Sequence, residues 1–357
     1  MKIEKPREIS LPAGVLGFAA TADRQRLYAA CMDGQIFEVD AASGEKQAFS
    51  ARHGSFASGC ALLPDGKTLI TSGFDGALIW HDTATRSEIR RVKAHDFWSW
   101  KLALSPDGVH VASVTGQYLV GGEKYEPAPS AEPTVKVFDA HTGELVHAWE
   151  FLAPALSVAI SPDSRLVAAA NLMGDVQIWD LTTGQSVAKF NSPDFTCWGI
   201  IKSPHYCGGI YALAFAPDGA SLLCAGMGEM KDPMAGNGKM TWQRWSWKEQ
   251  PAKMLGQIHD GEHGSGLMEA LAHTPDGAAF LMAGRQAQGT WNAALFSAGE
   301  GKLLASLDTK SRVTQALFSE DGKTLFLAAA TGQPKREGGK WPDYGRIYVS
   351  TVTSVVA

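Results

Sequence analysis

One tripeptide punctuates this chain from end to end. P-D-G begins at Pro64, Pro106, Pro217 and Pro275, and its variants P-D-S, E-D-G and A-D-R begin at Pro162, Glu320 and Ala22. The seven marks stand 42, 42, 56, 55, 58 and 45 residues apart, so the unit is about 42 residues plus insertions. A fixed period of this size is the signature of a repeat architecture. In S-P-D-G, Pro takes the second position of a tight turn and Gly the fourth, as a type I turn prefers. Length alone would favour two domains; the repeat replaces that expectation with one domain, 1–357, of seven units.

Short apolar runs flank each mark: KLAL, SVAI, YALAF and QALF before it, TLIT, LVAAA, SLLCA and TLFLAAA after it. Both read as strands. A third run follows, as in ALIWHD, VKVFD, VQIWD and NAALF, then a turn such as D-A-H-T-G or D-L-T-T-G, then a fourth strand such as ELVHAW or QSVAKF. No helical periodicity of useful length interrupts them. The expectation is an all-β, radial architecture of four-stranded antiparallel units. The seventh unit has GRIYVSTV as its third strand and no convincing fourth, while REISL near the amino terminus is left over, so the two can complete one unit and cover a sheet edge.

In this pattern the chain resembles the WD-repeat β-propeller family, whose blades are four-stranded sheets with a W-D pair ending the third strand. Trp179-Asp180 matches in full and Phe138-Asp139 conservatively. Trp80 is followed by His81 before Asp82; Trp245-Ser246 and Phe296-Ser297 stand at the place in the fifth and sixth units. His53 and His95 lie near the position of the family's G-H pair, and Asp75 matches its turn Asp. The resemblance implies a seven-bladed propeller closed by the amino-terminal strand, a structural hydrogen-bond network over His53, Asp75 and Trp80, and a scaffolding role.

The insertions are one-sided. They fall at Gly116 to Pro133, Asn191 to Gly208, Gly226 to Lys239, His259 to Gly266, Arg285 to Thr290 and Thr331 to Tyr344. All six belong to the rim of second-to-third turns and inter-unit links, whereas drift should lengthen both rims. A face that gathers insertions is expected to bind something. These loops carry Trp198, His205, Tyr206, Met230, Met234, His259, His263, Trp291, Trp341 and Tyr344, side chains typical of recognition surfaces, although about half should pack the insertions against one another. The first strands open onto the same rim. The residues six before each mark are Leu16, Ser58, Trp100, Leu156, Tyr211, Glu269 and Thr314; Phe56, Trp98, Leu267 and Arg312 lie two earlier. Glu269 and Arg312, in adjacent units, are expected to form an ion pair.

Tests for chemistry fail on context. HDGEH at His259 to His263 has the order of a zinc-protease motif that requires a helix, and Asp260-Gly261 and Gly264-Ser265-Gly266 break any helix there. A loop could still hold a metal through His259, His263 and His205. No G-x-S-x-G, phosphate-loop or C-x-x-C pattern is present, and Glu262 with Glu269 is an acidic pair of the kind chance provides. Cys31, Cys60 and Cys224 sit in apolar runs, while Cys197 and Cys207 share a loop and can pair only in an oxidising compartment. With 32 basic against 37 acidic residues, a net charge of −5 and no basic run, nucleic acid is a poor partner. The amino terminus shows neither a signal peptide nor a membrane span, which favours the cytoplasm and no membrane role.

The expected function is therefore a non-catalytic binding module for a protein or peptide, with no catalytic residue, metal or cofactor assigned. The binding residues named are Trp98, Trp100, Trp198, His205, Tyr206, Tyr211, Met234, His259, His263, Glu269, Trp291, Arg312, Trp341 and Tyr344. The alternative is a small-molecule or carbohydrate-processing enzyme, metal-assisted or not, with its pocket at the same mouth.

Overall fold

The computed structural model describes residues 1–121, 126–198, 206–230, 237–332, 334–337 and 341–353. Every regular element among them is a strand, apart from one 3-10 turn at Pro193–Phe195. The first four units are antiparallel meanders: Val15–Ala20 to Lys46–Ala48, Ala57–Leu62 to Ser87–Lys93, Lys101–Leu104 to Leu145–Trp149, and Ala155–Ile160 to Ser186–Asn191. The fifth (Tyr206–Phe215 to Lys253–Gln257) and sixth (Ser265–His273 to Leu303–Leu307) repeat the four strands, but are joined into one sheet by the pairs Gly238↔Gly266 and Lys239↔Ser265. Sequence reasoning did not anticipate this bridge. It forms because Gly238–Ser246 and Ser265–His273 are prolonged past their units on the inserted rim, where their ends meet.

The last sheet contains Arg312–Phe318, Thr324–Ala330 and Gly345–Thr353, and its outer neighbour comes from the other end of the chain. Arg7–Leu11, the leftover REISL, pairs antiparallel with Gly345 to Val349, and Lys2–Ile3 pairs with Val352 and Thr353. Alternation shows at the end of Gly345–Thr353, where Ser350 and Val352 are buried and Thr351 and Thr353 exposed.

The repeated mark folds as its chemistry requires. Gly66, Gly108, Gly219, Gly277 and Gly322 all have φ between +65° and +75°, a region open to glycine at no steric cost. The preceding Asp accepts the N–H two residues on, as in Lys67 N–H to Asp65 Oδ1 at 2.8 Å and Ala220 N–H to Asp218 Oδ1 at 2.8 Å. Where the variants lack glycine, Ser164 and Arg24 hold the left-handed conformation.

Buried clusters lie between sheets that follow one another in the chain. Ala19, Tyr28 and Ile36 pack with Cys60 and Leu69 between the first and second; Ile70, Leu78 and Trp80 pack with Val111 and Phe138 between the second and third. The series continues to a cluster between the sixth and seventh sheets around Leu281, Leu295, Val313 and Leu327. One further cluster unites Val15, Phe18 and Leu27 of the first sheet with Phe326, Ala328 and Ile347 of the last, and with Ile9 and Leu11.

In the second sheet the polar network departs from the expected membership. Asp75, His53, Thr71 and His81 form a chain with three contacts of 2.9 Å each. Taking His53 Nδ1–H as donor to Asp75, His53 Nε2 accepts from the Thr71 hydroxyl, and Thr71 Oγ1 accepts from His81 Nε2–H. Trp80 is on the other face of its strand and donates its indole N–H to the Ala140 carbonyl at 2.6 Å. Strand parity explains the exchange. Thr68 pairs with Asp82 and Leu69 with His81, as Leu166 pairs with Asp180 and Val167 with Trp179, so His81, not Trp80, is the counterpart of Trp179.

This network predicts acid sensitivity. Burial, reinforced by His53, pushes His81 down to about 3; burial, reinforced by Lys136 and Lys93, does the same to His95; and burial pushes His273 to about 4. Burial alone would raise Asp75, but the hydrogen bond from His53, with those from the Gly54 and Ala77 N–H groups, outweighs it and holds the carboxyl at about 2. An unfolded chain protonates its imidazoles below about pH 6.5, whereas the folded one resists. Stability is therefore full above that pH and falls as the pH drops from about 6.5 towards 3, with Asp75 adding a loss below about 4. Thermal melts at pH 7.5, 5.5 and 4 should show a steadily falling Tm, and a Tm unchanged at pH 4 would contradict the assignment.

Candidate functional site

In six of the seven sequence units the first strand carries a register shift at the same place. The pairing skips Leu16, Ser58, Leu156, Tyr211, Glu269 and Thr314, each a single residue between two paired ones. In the third sheet the ladder simply begins at Lys101, just after Trp100. A bulge leaves one residue unpaired and re-aims its side chain. All seven of these residues line one cavity of about 200 Å³ between the sheets, together with Lys101 and Arg312 among others. Above it, on the inserted rim, opens a pocket of about 720 Å³ bounded by residues such as Phe56, Arg285, Lys310, Arg312 and Tyr344. That volume lies within the usual range of ligand sites.

An aromatic cluster extends from these cavities: Phe56 lines both, Phe74 and Trp100 line the smaller, and Trp98 and Phe97 stack outside them. Trp98 stacks on Phe74, with centroids 4.6 Å apart and planes 1° apart, and on Phe97 at 4.9 Å and 15°. Phe56 leans on Phe74 at 5.5 Å, and Trp100 meets Trp98 edge-on at 5.3 Å while donating its indole N–H to the Gly116 carbonyl. Despite this packing, Trp98 is 40% and Phe56 38% exposed. Such a rigid, half-solvated aromatic shelf is the composition of an interaction hot spot.

The channel beneath it is charged. Arg312 grips Glu269 with both arms, Nε to Oε2 at 2.5 Å and Nη2 to Oε1 at 2.6 Å, which is the ion pair expected from their adjacent units. The Glu269 charge raises Arg312 further above its ordinary value, while burial, then Glu269, pushes Tyr211 up to about 12. Lys101 reaches from the third sheet to within 3.4 Å of the Thr314 carbonyl oxygen in the seventh. Burial lowers its pKa, Glu269 opposes that, and Arg312 adds to it. Alternation along the strand gave no reason to single out Lys101 beside Trp100, and this functional candidate was missed. Its signal was positional: the residue after each aligned one is Gly17, Gly59, Ser157, Ala212, Ala270 or Gln315 elsewhere, so only the third sheet puts a cation there.

Of the loop residues singled out, Tyr344 lines the larger pocket. Trp341 is 49% exposed, with the Arg336 guanidinium 5.5 Å over its ring. Trp291 and Met230 are buried; Trp291 packs among Trp242, Phe280 and Phe296 and donates to the Glu262 carbonyl, so it stiffens the insertion and presents no surface. His259 to His263 is a turn, with Gly261 at φ +85°, as its glycines foretold. His259 Nδ1 lies 3.8 Å from Glu262 Oε2 and His263 Nδ1 lies 3.3 Å from the Gly264 carbonyl. Among the described residues no group of three potential ligands gathers to hold a metal. His205 and Met234 lie outside the described residues, as do the side chains of Trp198 and Tyr206, whose backbones pair in a short ribbon that also sets Cys197 opposite Cys207. No described helix is long and apolar enough to cross a membrane. No protein-family model matches the chain, and no curated protein matches its sequence.

Proposed function

We propose that the sheets are the seven blades of a closed, WD-repeat-like propeller, and that the chain is a non-catalytic module that binds a protein or peptide on its inserted face. The closed ring is supported by the buried cluster shared by the first and last sheets and by the pairing of Arg7–Leu11 with Gly345–Thr353. Binding is carried by one observation above others: the half-solvated stack of Phe56, Phe74, Trp98 and Phe97, which begins at Phe56 in the wall of the 720 Å³ mouth and exposes Phe56 and Trp98. Large aromatic rings held rigid before a partner arrives lose little conformational freedom on binding, and so return most of their buried area as affinity. The enzyme alternative placed its pocket at the same mouth, where Glu269 stands among the lining residues with both of its oxygens held by Arg312.

The test is a selection of displayed twelve-residue peptides on the immobilised full chain, followed by anisotropy with the recovered sequences. The Phe56→Ala/Trp98→Ala double variant should keep its melting profile and bind at least tenfold more weakly, the order of effect of losing a hot spot. Peptides that bind a folded double variant as well as the parent would refute the site.

A further inference from the structure

Resting on that reading of the mouth, we propose that the partner segment is acidic and inserts one carboxylate side chain into the channel, where Lys101 receives it.

The channel holds two cations, Lys101 and Arg312, against one carboxylate, Glu269. Arg312 and Glu269 satisfy each other, which leaves Lys101 as the unbalanced charge; among the described residues it forms no salt bridge with a carboxylate, and its ammonium is hydrogen-bonded to the Thr314 carbonyl at 3.4 Å. The mouth repeats the imbalance. Lys310 is paired with Asp308 at 2.5 Å, whereas Arg285 pairs with no carboxylate among the described residues and donates to the side-chain oxygen of Asn237 at 3.1 Å. Net positive charge thus runs from the rim to the floor of a chain whose overall charge is −5. Low-dielectric walls focus such a field on an entering anion.

The shape agrees with a side chain rather than a whole ligand. The deeper cavity, about 200 Å³, is less than a third of the mouth above it, so a segment lying across Phe56 and Trp98 has room to send one side chain down. The bulge residue Tyr211 lines the same cavity as Lys101 and carries a hydroxyl that can donate to such a carboxylate, whereas the Ser58 hydroxyl is committed to the Ser99 carbonyl at 2.5 Å. A charge-assisted bond to an otherwise unpaired cation is stronger than a neutral one.

The experiment is a cycle on the full chain with the selected peptides. Each peptide is compared with its Glu→Gln or Asp→Asn form, on the parent and on Lys101→Met, which keeps the length of the side chain. The expected result is an acidic residue common to the selected peptides, at least tenfold weaker binding of the amide form to the parent, and equal binding of both forms to Lys101→Met. Selected peptides that bind the aromatic mouth without any charge preference would overturn the carboxylate assignment and leave the binding reading intact. A second arm does not depend on peptides: the parent with ¹³C-dimethylated lysines is titrated with N-acetylglutamate amide and N-acetylglutamine amide. The Lys101 resonance, identified by its loss in Lys101→Met, should move with the first and not with the second; a Lys101 signal indifferent to both overturns the proposal whatever the selection yields.

Discussion

A chain lacking residues 1–11 should fail to give a cooperative thermal transition near that of the full protein. Those residues supply the partner of the last long strand, with Arg7 opposite Val349 and Leu11 opposite Gly345. They also place Ile3, Ile9 and Leu11, all buried, into the clusters of the last sheet. At about 1.5–3 kcal/mol for each fully buried aliphatic side chain, the loss of these three removes roughly 4.5–9 kcal/mol, a large part of the about 5–15 kcal/mol that keeps a typical domain folded. The truncation also uncovers Ile347 and leaves a long strand edge open to other chains. Melting followed by near-ultraviolet circular dichroism is the measurement, with the 1–11 peptide added in trans expected to raise the Tm again. An unchanged Tm in the truncated chain would contradict the role given to this strand.

Trp80→Ala should be the costliest single truncation in the second sheet. Trp80 is 1% exposed, fills the interface with the third sheet beside Leu102, Val111 and Phe138, and bonds across it to the Ala140 carbonyl. Removing a buried aromatic of this size costs about 3–5 kcal/mol, and here a carbonyl loses its donor as well. Trp80→Phe should recover most of the packing and none of the hydrogen bond. Denaturant titration of the two variants separates the contributions; a cost below about 1 kcal/mol for the alanine variant would show that the interface repacks.

The repeat made most of the framework legible before any coordinates. The runs around each P-D-G are strands because apolar alternation and a glycine-bearing turn leave few other solutions, and the six insertions mark one rim because antiparallel connectivity fixes which turns share a side. The seven positions aligned on the turn converge on one cavity for the same reason. What escaped was local and geometric. Trp80 was read into the polar network by its identity, whereas strand parity gives that place to His81. Lys101 was passed over because strand alternation does not mark it, although the uncharged residues after the other six aligned positions held the clue. The bridge from Gly238 to Gly266 needed strand lengths that composition does not encode. Trp291, by contrast, resembled its exposed neighbours in sequence and differs from them only in what packs around it.

The central claim is that the aromatic mouth on the inserted rim is where a partner segment binds. Its most direct test is the indole N–H spectrum of the ¹⁵N-tryptophan protein, which has eleven such residues, recorded as a selected peptide is added. Assignments come from single Trp→Phe variants. The signals of Trp98 and Trp100 should shift in proportion to occupancy, while that of Trp247, in the turn after Gly238–Ser246 on the opposite rim, stays in place. Movement of Trp247 with Trp98 and Trp100 undisturbed would put the binding site on the other face and contradict the account.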